Sequence, residues 1–270
     1  MSLYVESCGV GAPLVLLHGW GMNADVWEDL LPALAERRRV VRVDLPGHGR
    51  SRPVACGASL AAMAEPLLAA IPEGADVLGW SLGGLLAQHL ALAHPARVAR
   101  LILVASGPRF VRSAHWPHAM AAETLTTFAH GLAEDYTGTI RRFLAIQALG
   151  SEHARETLGQ LRERVFRHGE PDAAALRAGL AILLQADLRA ELPRITCPTL
   201  LIGGARDTLF PAAAQAQTRA LLADARLSLI DGAGHAPFLS HPAAFLSQLS
   251  DFLDGPHARV SATLAKTKHP

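Results

Sequence analysis

The chain has 270 residues, of which 50% are hydrophobic, and a formal net charge of +1 at pH 7. This length can bury a sizeable core, and α/β folds of this size commonly form one domain. No hydrophobic run approaches the roughly 18 residues of a membrane span, and the chain lacks the basic excess of a nucleic-acid binder. We therefore expect one soluble domain with neither a membrane nor a nucleic-acid partner.

The beginning of the chain carries Glu6 where a signal peptide needs basic residues, and no long apolar stretch follows. The sequence therefore predicts a cytoplasmic location. The three cysteines stand far apart without C-x-x-C spacing, so we expect neither a disulfide framework nor a zinc site. His115 and His118 have no carboxylate or cysteine at ligand spacing, so the sequence predicts no metal.

Short apolar runs alternate with longer segments of helical spacing, which predicts βαβ units and an α/β fold with a mostly parallel, doubly wound sheet. Each run has the length expected of a strand covered on both faces. The predicted strands are 14–17, 40–43, 76–78, 101–105, 199–202 and 227–230, and the predicted helices between them are 23–37, 59–70, 81–93, 211–223 and 242–252.

This alternation stops between residues 107 and 192, where helical patterns dominate. An insertion between two strands of an open α/β sheet would lie over the carboxyl ends of the strands, where such sheets bind ligands. We therefore expect a core formed by residues 1–106 and 193–255, with 107–192 as a helical cap over the site. Residues 256–270 have little apolar periodicity and are predicted to form a disordered tail.

The segment 79–83 has the sequence Gly-Trp-Ser-Leu-Gly and follows the predicted strand 76–78. This G-x-S-x-G pattern is typical of a nucleophile elbow, in which a strand turns sharply into a helix with the serine at the apex. The glycines fit because residues two positions away are forced close together. An ordinary small-residue turn is the alternative, so Ser81 becomes a candidate nucleophile only if a base and an acid accompany it.

A serine hydroxyl reacts as a nucleophile only when a base accepts its proton and an acid supports the base. In strand-turn-helix hydrolases the order along the chain is serine, acid, histidine. His235 follows the last predicted strand in a glycine-rich loop that can return the imidazole over the elbow. His241 precedes a proline at a predicted helix start, and His257 and His269 lie in the tail. We therefore predict His235 as the base.

Asp207 is the predicted acid, because it follows the strand 199–202 through a flexible turn. Its competitors fit less well. Asp187 lies in the helical insertion, Asp224 ends a predicted helix, and Asp231 is too close to His235 in sequence to support it from behind. The alternative for Asp207 is a turn residue that bonds its own backbone, as aspartate often does.

A tetrahedral intermediate needs backbone N–H donors for its oxyanion, each worth roughly 3 kcal/mol. Leu82 follows the nucleophile and opens a helix, so its amide is one candidate. Trp20 is the other, in the loop 18–21 after the first predicted strand, where its indole would also wall the pocket. His18 is expected to shape this loop rather than to react.

These motifs resemble those of the α/β-hydrolases over almost the whole chain, in the loop 18–21, the segment 44–51 (DLPGHGRS) and the elbow. Narrower similarities point to the pimeloyl-acyl-carrier protein methyl ester carboxylesterases of biotin synthesis. They comprise segments 79–84 (GWSLGG), 104–106 (VAS) with 116–117 (WP), 142–147 (RFLAIQ), 235–238 (HAPF) and 240–242 (SHP).

The resemblance implies an enzyme that hydrolyses the methyl ester of pimeloyl-acyl-carrier protein to the free acid and methanol. It implies Ser81 as nucleophile, no metal or organic cofactor, and a monomer whose partner is the acyl carrier protein. It also implies a substrate site that includes the segment 143–147. The alternative for this segment is that it forms the buried face of a cap helix. The residues implied are Trp20, Ser81, Leu82, Phe143, Leu144, Ala145, Ile146, Gln147 and His235.

An acyl carrier protein is acidic, so an esterase that acts on it should present arginines. Residues 138–168 contain six arginines against three glutamates, a local excess of +3. Arg142 and Arg155 fall where the family has carrier-contacting arginines, but two other such positions hold Gly138 and Gly159. Arg162 or Arg164 is a candidate to compensate, and a solvated helix face is the alternative for all of these arginines.

Three other functions stay open. An esterase of small free esters would have the same triad, as would a carbon–carbon bond hydrolase or a perhydrolase. A noncatalytic receptor on this fold is disfavoured by the complete set Ser81, Asp207 and His235. Haloalkane dehalogenases and epoxide hydrolases are disfavoured because they carry an aspartate at the elbow.

Overall fold

In a computed structural model, which describes residues 2–255, seven strands form one sheet with helices on both faces. The strands are β1 (Val5–Cys8), β2 (Ala12–Leu17), β3 (Arg38–Val43), β4 (Ala75–Trp80), β5 (Val98–Val104), β6 (Thr199–Gly204) and β7 (Ala225–Ile230). Their order across the sheet is β1-β3-β2-β4-β5-β6-β7. Only β1 runs antiparallel, against β3. The predicted mostly parallel α/β sheet is confirmed.

The six predicted apolar runs fall on β2 to β7, and β1 is the strand that the prediction lacked. Strand β1 contains only four residues, and none of them is fully buried. It pairs on one side alone, at the edge of the sheet, so no apolar run is needed there. Its signal in the sequence is correspondingly weak.

Helices flank the strands, and three of the predicted ones keep their expected positions. Two predicted helices are split, because Pro32 and Pro66 lack the backbone N–H that an uninterrupted helix requires. A 3₁₀ segment occupies Ala24–Leu30 in the first and Glu65–Ala70 in the second. The α-helices are α1 (Leu31–Ala35), α2 (Leu60–Ala64), α3 (Leu82–Ala93), α4 (Ala122–Glu134), α5 (Tyr136–Ala148), α6 (Ala154–Val165), α7 (Ala173–Gln185), α8 (Ala212–Ala220), α9 (Pro237–Ser240) and α10 (Pro242–Asp254).

Helices α4 to α7 all lie between β5 and β6, and we call these four helices the cap. Helix α4 packs against α5 and α7, and α5 packs against α6. The division of the chain at residues 107 and 192 stays a prediction. The predicted disordered tail, 256–270, lies outside the described residues. Among residues 2–255, no helix is both long and apolar enough to cross a bilayer.

The core beneath the carboxyl ends of the strands contains a cluster of aromatic rings. Trp27, Trp80 and Phe238 are fully buried, and the Phe238 ring lies 4.4 Å from Trp27 and 5.0 Å from Trp80, centroid to centroid. Aromatic pairs at such distances add to the stability given by apolar burial. Because Trp80 is the last residue of β4, this cluster supports the residue that follows it, Ser81.

At the amino-terminal ends of the strands, buried charged side chains anchor the last helix, α10. Arg38 Nη1 lies 3.1 Å from Asp76 Oδ2, and both side chains are almost fully buried. Arg38 Nη2 donates to the carbonyl oxygen of Leu253 at 2.8 Å, and Arg100 donates to the same oxygen. These arginines satisfy a carbonyl that the end of α10 leaves without a helical partner.

We expect Asp76→Asn to lower the free energy of unfolding by about 3 kcal/mol, because Arg38 and Arg100 lose the buried carboxylate between them and Arg38 keeps only the more exposed Asp254. Urea denaturation followed by circular dichroism measures the change. Arg37→Ala is the matched control, since Arg37 pairs with Asp254 while its side chain is 75% exposed. It should cost less than about 1 kcal/mol. Equal losses in the two variants would contradict the prediction.

Candidate active site

Ser81 stands at the turn between β4 and α3, with φ of 54° and ψ of −117°. This positive φ is unusual for a residue with a side chain and costs on the order of 1 to 3 kcal/mol. A Cβ on Gly79 would clash with the backbone of Gly83, and a Cβ on Gly83 would clash with the carbonyl of Leu17. Both elbow glycines are therefore required by close backbone contacts.

Neighbouring backbone holds the strained turn in place. The N–H of Ser81 donates to the carbonyl of Val104 at 3.0 Å. The hydroxyl of Ser106 donates to the carbonyl of Ser81 at 2.7 Å. Ser106 follows β5, so the adjacent strand supplies both restraints on the residue at the apex.

Asp207 and His235 form a buried pair on the loops that follow β6 and β7. His235 Nδ1 lies 2.9 Å from Asp207 Oδ2, and the two side chains are 1% and 0% exposed. Asp207 Oδ1 accepts hydrogen bonds from the N–H groups of Leu209 at 2.8 Å and Phe210 at 3.0 Å. Because a carboxylate only accepts, Nδ1 is the donor in this bond, and in the neutral imidazole Nε2 is the acceptor.

The histidine loop is fixed against the elbow and the cap. The indole N–H of Trp80 donates to the carbonyl of His235 at 2.8 Å, and Trp80 directly precedes Ser81. The N–H of His235 donates to the carbonyl of Gln147 on α5 at 3.2 Å. The Ser81 side chain forms no hydrogen bond with other residues of the described chain, and catalytic bonds of this kind often tighten only when substrate binds.

Two backbone N–H groups near Ser81 are available as donors. Within residues 2–255, the amides of Trp20 and Leu82 donate no hydrogen bond to protein. Leu82 is also the first residue of α3, where the helix dipole favours negative charge. The Trp20 indole is engaged elsewhere, because its Nε1 donates to the carbonyl of Leu176 on α7 at 2.8 Å.

His18 shapes the loop that carries Trp20. Its Nδ1 donates to the carbonyl of Gly19 at 2.8 Å, and its Nε2 accepts from the N–H of Leu45 at 2.9 Å. Burial, reinforced by nearby His48, lowers the pKa of His18 from 6.5 to about 3. The neutral imidazole thus ties the loop after β2 to the loop after β3 and has no free nitrogen for catalysis.

The residues of the predicted substrate segment 143–147 lie on different faces of α5. Phe143 meets Trp20 edge to face at 4.5 Å, and Gln147 binds the His235 loop through its backbone. The side-chain Nε2 of Gln147 is buried without a hydrogen-bond partner in the described chain. Leu144 is buried, whereas Ala145 and Ile146 face a groove of about 710 Å³ between α4 and α5. Phe143 and Gln147 thus contact other predicted site residues.

Gly179 on α7 was not among the predicted residues, although it lies against the side chains of Trp20 and Leu82. A Cβ there would stand 2.7 Å from Trp20 Cδ1 and 3.2 Å from Leu82 Cδ2. Glycine is therefore needed for α7 to approach the loop and the elbow together. The available signal was a glycine inside a helical pattern, which often marks a close packing contact.

Of the cap arginines, the three predicted carrier contacts are solvent-exposed. Arg142 bonds Thr139 Oγ1 at 2.8 Å and pairs with Asp135 at 3.2 Å, both partners being on or next to its own helix. Arg155 and Arg162 form no ion pair within residues 2–255, and both are exposed on α6.

Two further arginines of this region bind the core instead. Arg164 is 5% exposed, and its Nη2 lies 2.7 Å from Asp29. Arg167 contacts Glu28 at 2.5 Å and Asp25 at 3.2 Å. Arg164 is therefore not available to compensate for the missing carrier contacts, and part of the local positive excess is neutralised within the protein.

The described geometry is matched by known proteins. The family described as the alpha/beta hydrolase fold matches residues 12–242. An esterase from Exiguobacterium antarcticum superposes with a TM-score of 0.85 at 27% identity, over 93% of this chain and 95% of that one. The chain belongs to the α/β-hydrolase family.

Curated relatives narrow the family further. The pimeloyl-acyl-carrier protein methyl ester esterase of Nitrosomonas europaea is 48% identical over 91% of this chain and 97% of its own length. The protein of the same name from Aeromonas hydrophila is 47% identical over 94% of this chain and 100% of its own length. Within the α/β-hydrolases, the chain belongs to the family of these esterases, and the resemblance seen in the sequence is confirmed.

We expect His18 to stay neutral in the native protein at pH 5. Between about pH 6.5 and 3, His18 binds a proton in the unfolded chain but not in the native protein. This difference lowers the free energy of unfolding as pH falls, by about 1.4 kcal/mol per pH unit. Nitrogen-15 NMR of the imidazoles reports the Nδ1–H tautomer directly, with the urea-unfolded chain as the control. A His18 protonation midpoint above pH 5 would contradict the prediction.

Proposed function

We propose that this protein is a serine carboxylesterase that hydrolyses the methyl ester of pimeloyl-acyl-carrier protein to pimeloyl-acyl-carrier protein and methanol, a step of biotin synthesis. One observation carries the proposal. Ser81 occupies a strained elbow beside a buried His235–Asp207 pair at 2.9 Å, in a chain 48% identical to an esterase of that name. Within it, Ser81 is the nucleophile, His235 the base and Asp207 the acid.

In the acylation step, Ser81 Oγ attacks the ester carbonyl while His235 Nε2 accepts the hydroxyl proton. Asp207 holds the imidazole through Nδ1 and stabilises its positive charge. The carbonyl oxygen becomes an oxyanion that accepts hydrogen bonds from the N–H groups of Leu82 and Trp20. Collapse of the intermediate expels methanol, which takes the proton from His235, and leaves the acyl group on Ser81.

In the deacylation step, a water molecule gives a proton to His235 and attacks the acyl carbonyl. The second tetrahedral intermediate uses the same two N–H donors. Its collapse returns the proton from His235 to Ser81 and releases the pimeloyl carboxylate. The two steps balance with water as the only co-reactant, so the chemistry draws on these side chains and calls for no cofactor.

Substrate contacts follow from the same placement. We assign the wall of the acyl site to Trp20, Phe143 and Gln147, supported by the contact of Phe143 with Trp20 and of Gln147 with the His235 loop. The remaining proposed lining consists of Ser81, Leu82, Leu144 and His235, together with Ala145 and Ile146, which face the groove between α4 and α5. In this proposal, the four cap helices belong to an insertion formed by residues 107–192, and residues 1–106 and 193–255 form the core.

The proposed partner is the acyl carrier protein, in the cytoplasm, with the esterase acting as a monomer. Arg142, Arg155 and Arg162 give the cap an exposed positive face, which complements an acidic carrier. Gly138 and Gly159 stand where the family pattern has carrier-contacting arginines, so this chain has fewer such contacts. We therefore expect the docking of the carrier to be weak and salt-sensitive.

A second candidate is an esterase of small free esters. The observation that favours it is the pairing of Arg142 with Asp135, which already satisfies one proposed carrier contact. In that case the carrier would give no advantage over a short p-nitrophenyl ester. Complementation of a strain that lacks the biotin-pathway esterase separates the two candidates, because growth without biotin requires the carrier-bound substrate.

We expect Ser81→Ala to lower ester hydrolysis by more than about a thousandfold, because the remaining groups cannot form the acyl-enzyme. Its circular dichroism should match that of the parent, since only one oxygen is removed. The variant should also fail to react with a fluorophosphonate and fail to complement the biotin-pathway strain. Activity above about a thousandth of the parent value would refute the proposed triad.

We expect Arg142→Glu combined with Arg155→Glu to lower kcat/KM for the carrier substrate by at least about tenfold, with a much smaller loss for p-nitrophenyl butyrate. The matched control is Arg39→Glu with Arg226→Glu, which makes the same charge change at exposed positions of the core. Steady-state kinetics at low and high salt measure both. Equal losses on the two substrates would argue against carrier docking on this face.

A further inference from the structure

The turn between α5 and α6 touches both loops that carry the proposed acid and base. We call residues 147–153 the α5–α6 corner. On the histidine side, the carbonyl of Gln147 accepts from the N–H of His235 at 3.2 Å, and the N–H of Glu152 donates to the carbonyl of Gly232 at 2.9 Å. A Cβ on Gly234 would lie 2.9 Å from the carbonyl of Leu149, so the two backbones are in close contact.

The same corner touches the acid loop at the residue before Asp207. Arg206 Nη2 lies 2.8 Å from Glu152 Oε1. Gly150, with φ of +84°, stands so close that a Cβ on it would lie 2.6 Å from the carbonyl oxygen of Arg206. The N–H of Arg206 in turn donates to the carbonyl of Ala233 at 2.9 Å, which joins the acid loop to the histidine loop.

We infer that the α5–α6 corner is a positioning element for catalysis, which holds the Asp207 loop and the His235 loop at the separation that their hydrogen bond requires. The inference rests on the proposed triad and adds to it a part of the cap that touches no reacting atom. Strands β6 and β7 fix where the two loops begin. Beyond the strands, the Arg206–Ala233 bond joins the loops, Trp80 binds the carbonyl of His235, and the corner contacts both loops at once. A displacement near 1 Å in such a constellation can cost up to about a hundredfold in rate.

Backbone and steric contacts carry most of this effect. The side chains of Arg206 and Glu152 are 49% and 53% exposed, and exposed ion pairs contribute little by themselves. The contact of Gly150 with Arg206 is different, because neither group is the flexible end of a side chain. A methyl group at Gly150 must therefore move the acid loop, the corner or both.

Gly150→Ala tests the inference, with Gly169→Ala as its matched control. Gly169 has φ of +85°, lies in the connection between α6 and α7, and has open space where its Cβ would be. Both alanines suffer the same backbone strain, so Gly169→Ala measures the cost of that strain alone, and Gly150→Ala adds the clash with Arg206 to it. Only the change at Gly150 presses on the residue next to Asp207.

For p-nitrophenyl butyrate, we expect Gly150→Ala to lower kcat by about tenfold with KM within about twofold of the parent, because binding surfaces are kept while the triad is misplaced. The rate of Ser81 labelling by a fluorophosphonate should fall in parallel. Gly169→Ala should keep both rates within about twofold, with a fall in Tm that reflects the backbone strain alone. Equal kinetic losses in the two variants, or none in either, would overturn the inference.

A milder pair of substitutions covers the case in which Gly150→Ala does not fold. Arg206→Gln should lower kcat by about two- to threefold, and Arg206→Lys should restore it, because lysine keeps the ion pair with Glu152. No rescue by lysine would count against the corner. The free ester needs no carrier, so these results are independent of carrier docking, and retained activity in Ser81→Ala would instead refute the triad itself.

Discussion

A close backbone contact between the elbow and the neighbouring strand determines how much of the site is arranged. Helix α3 begins so near the end of β2 that Gly83 has no room for a side chain against the carbonyl of Leu17. The loop with Trp20 starts at the very next residue, His18. The same contact therefore sets the turn that presents Ser81 and packs the start of α3 against the segment that leads into the Trp20 loop. A bulkier residue at position 83 would push these two segments apart.

Around this contact, consecutive strands of the sheet each contribute one part. Strand β4 ends in the elbow, β5 leads to Ser106, which bonds the carbonyl of Ser81, β6 leads to Asp207, and β7 leads to His235. In a parallel sheet these ends lie side by side, so residues far apart in sequence need only short loops to meet. The cap then closes the arrangement from above through Gly179 and the α5–α6 corner.

The features that the sequence predicts are those with local causes. The elbow is recognisable because the glycines and the apolar strand stand within a few residues of Ser81, and chain order then selects Asp207 and His235. The inward turn of Arg164 was not predictable, because its partner Asp29 lies 135 residues earlier in the chain. Gly179 likewise acquires its meaning only when α7 packs on Trp20. Strand β1 was not predicted, because an edge strand buries little apolar surface and therefore needs no apolar run.

The indole of Trp20 joins the two parts of the molecule that lie on either side of the site. Its N–H bonds to α7, its ring meets Phe143 on α5, and it is 1% exposed. Any movement that lifts these helices transfers the indole from a dry, hydrogen-bonded setting into water, and tryptophan emission shifts to longer wavelength in that exchange. Trp20, one of four tryptophans, would thus act as an intrinsic fluorescent reporter of any such movement, in the loop that we propose stabilises the oxyanion.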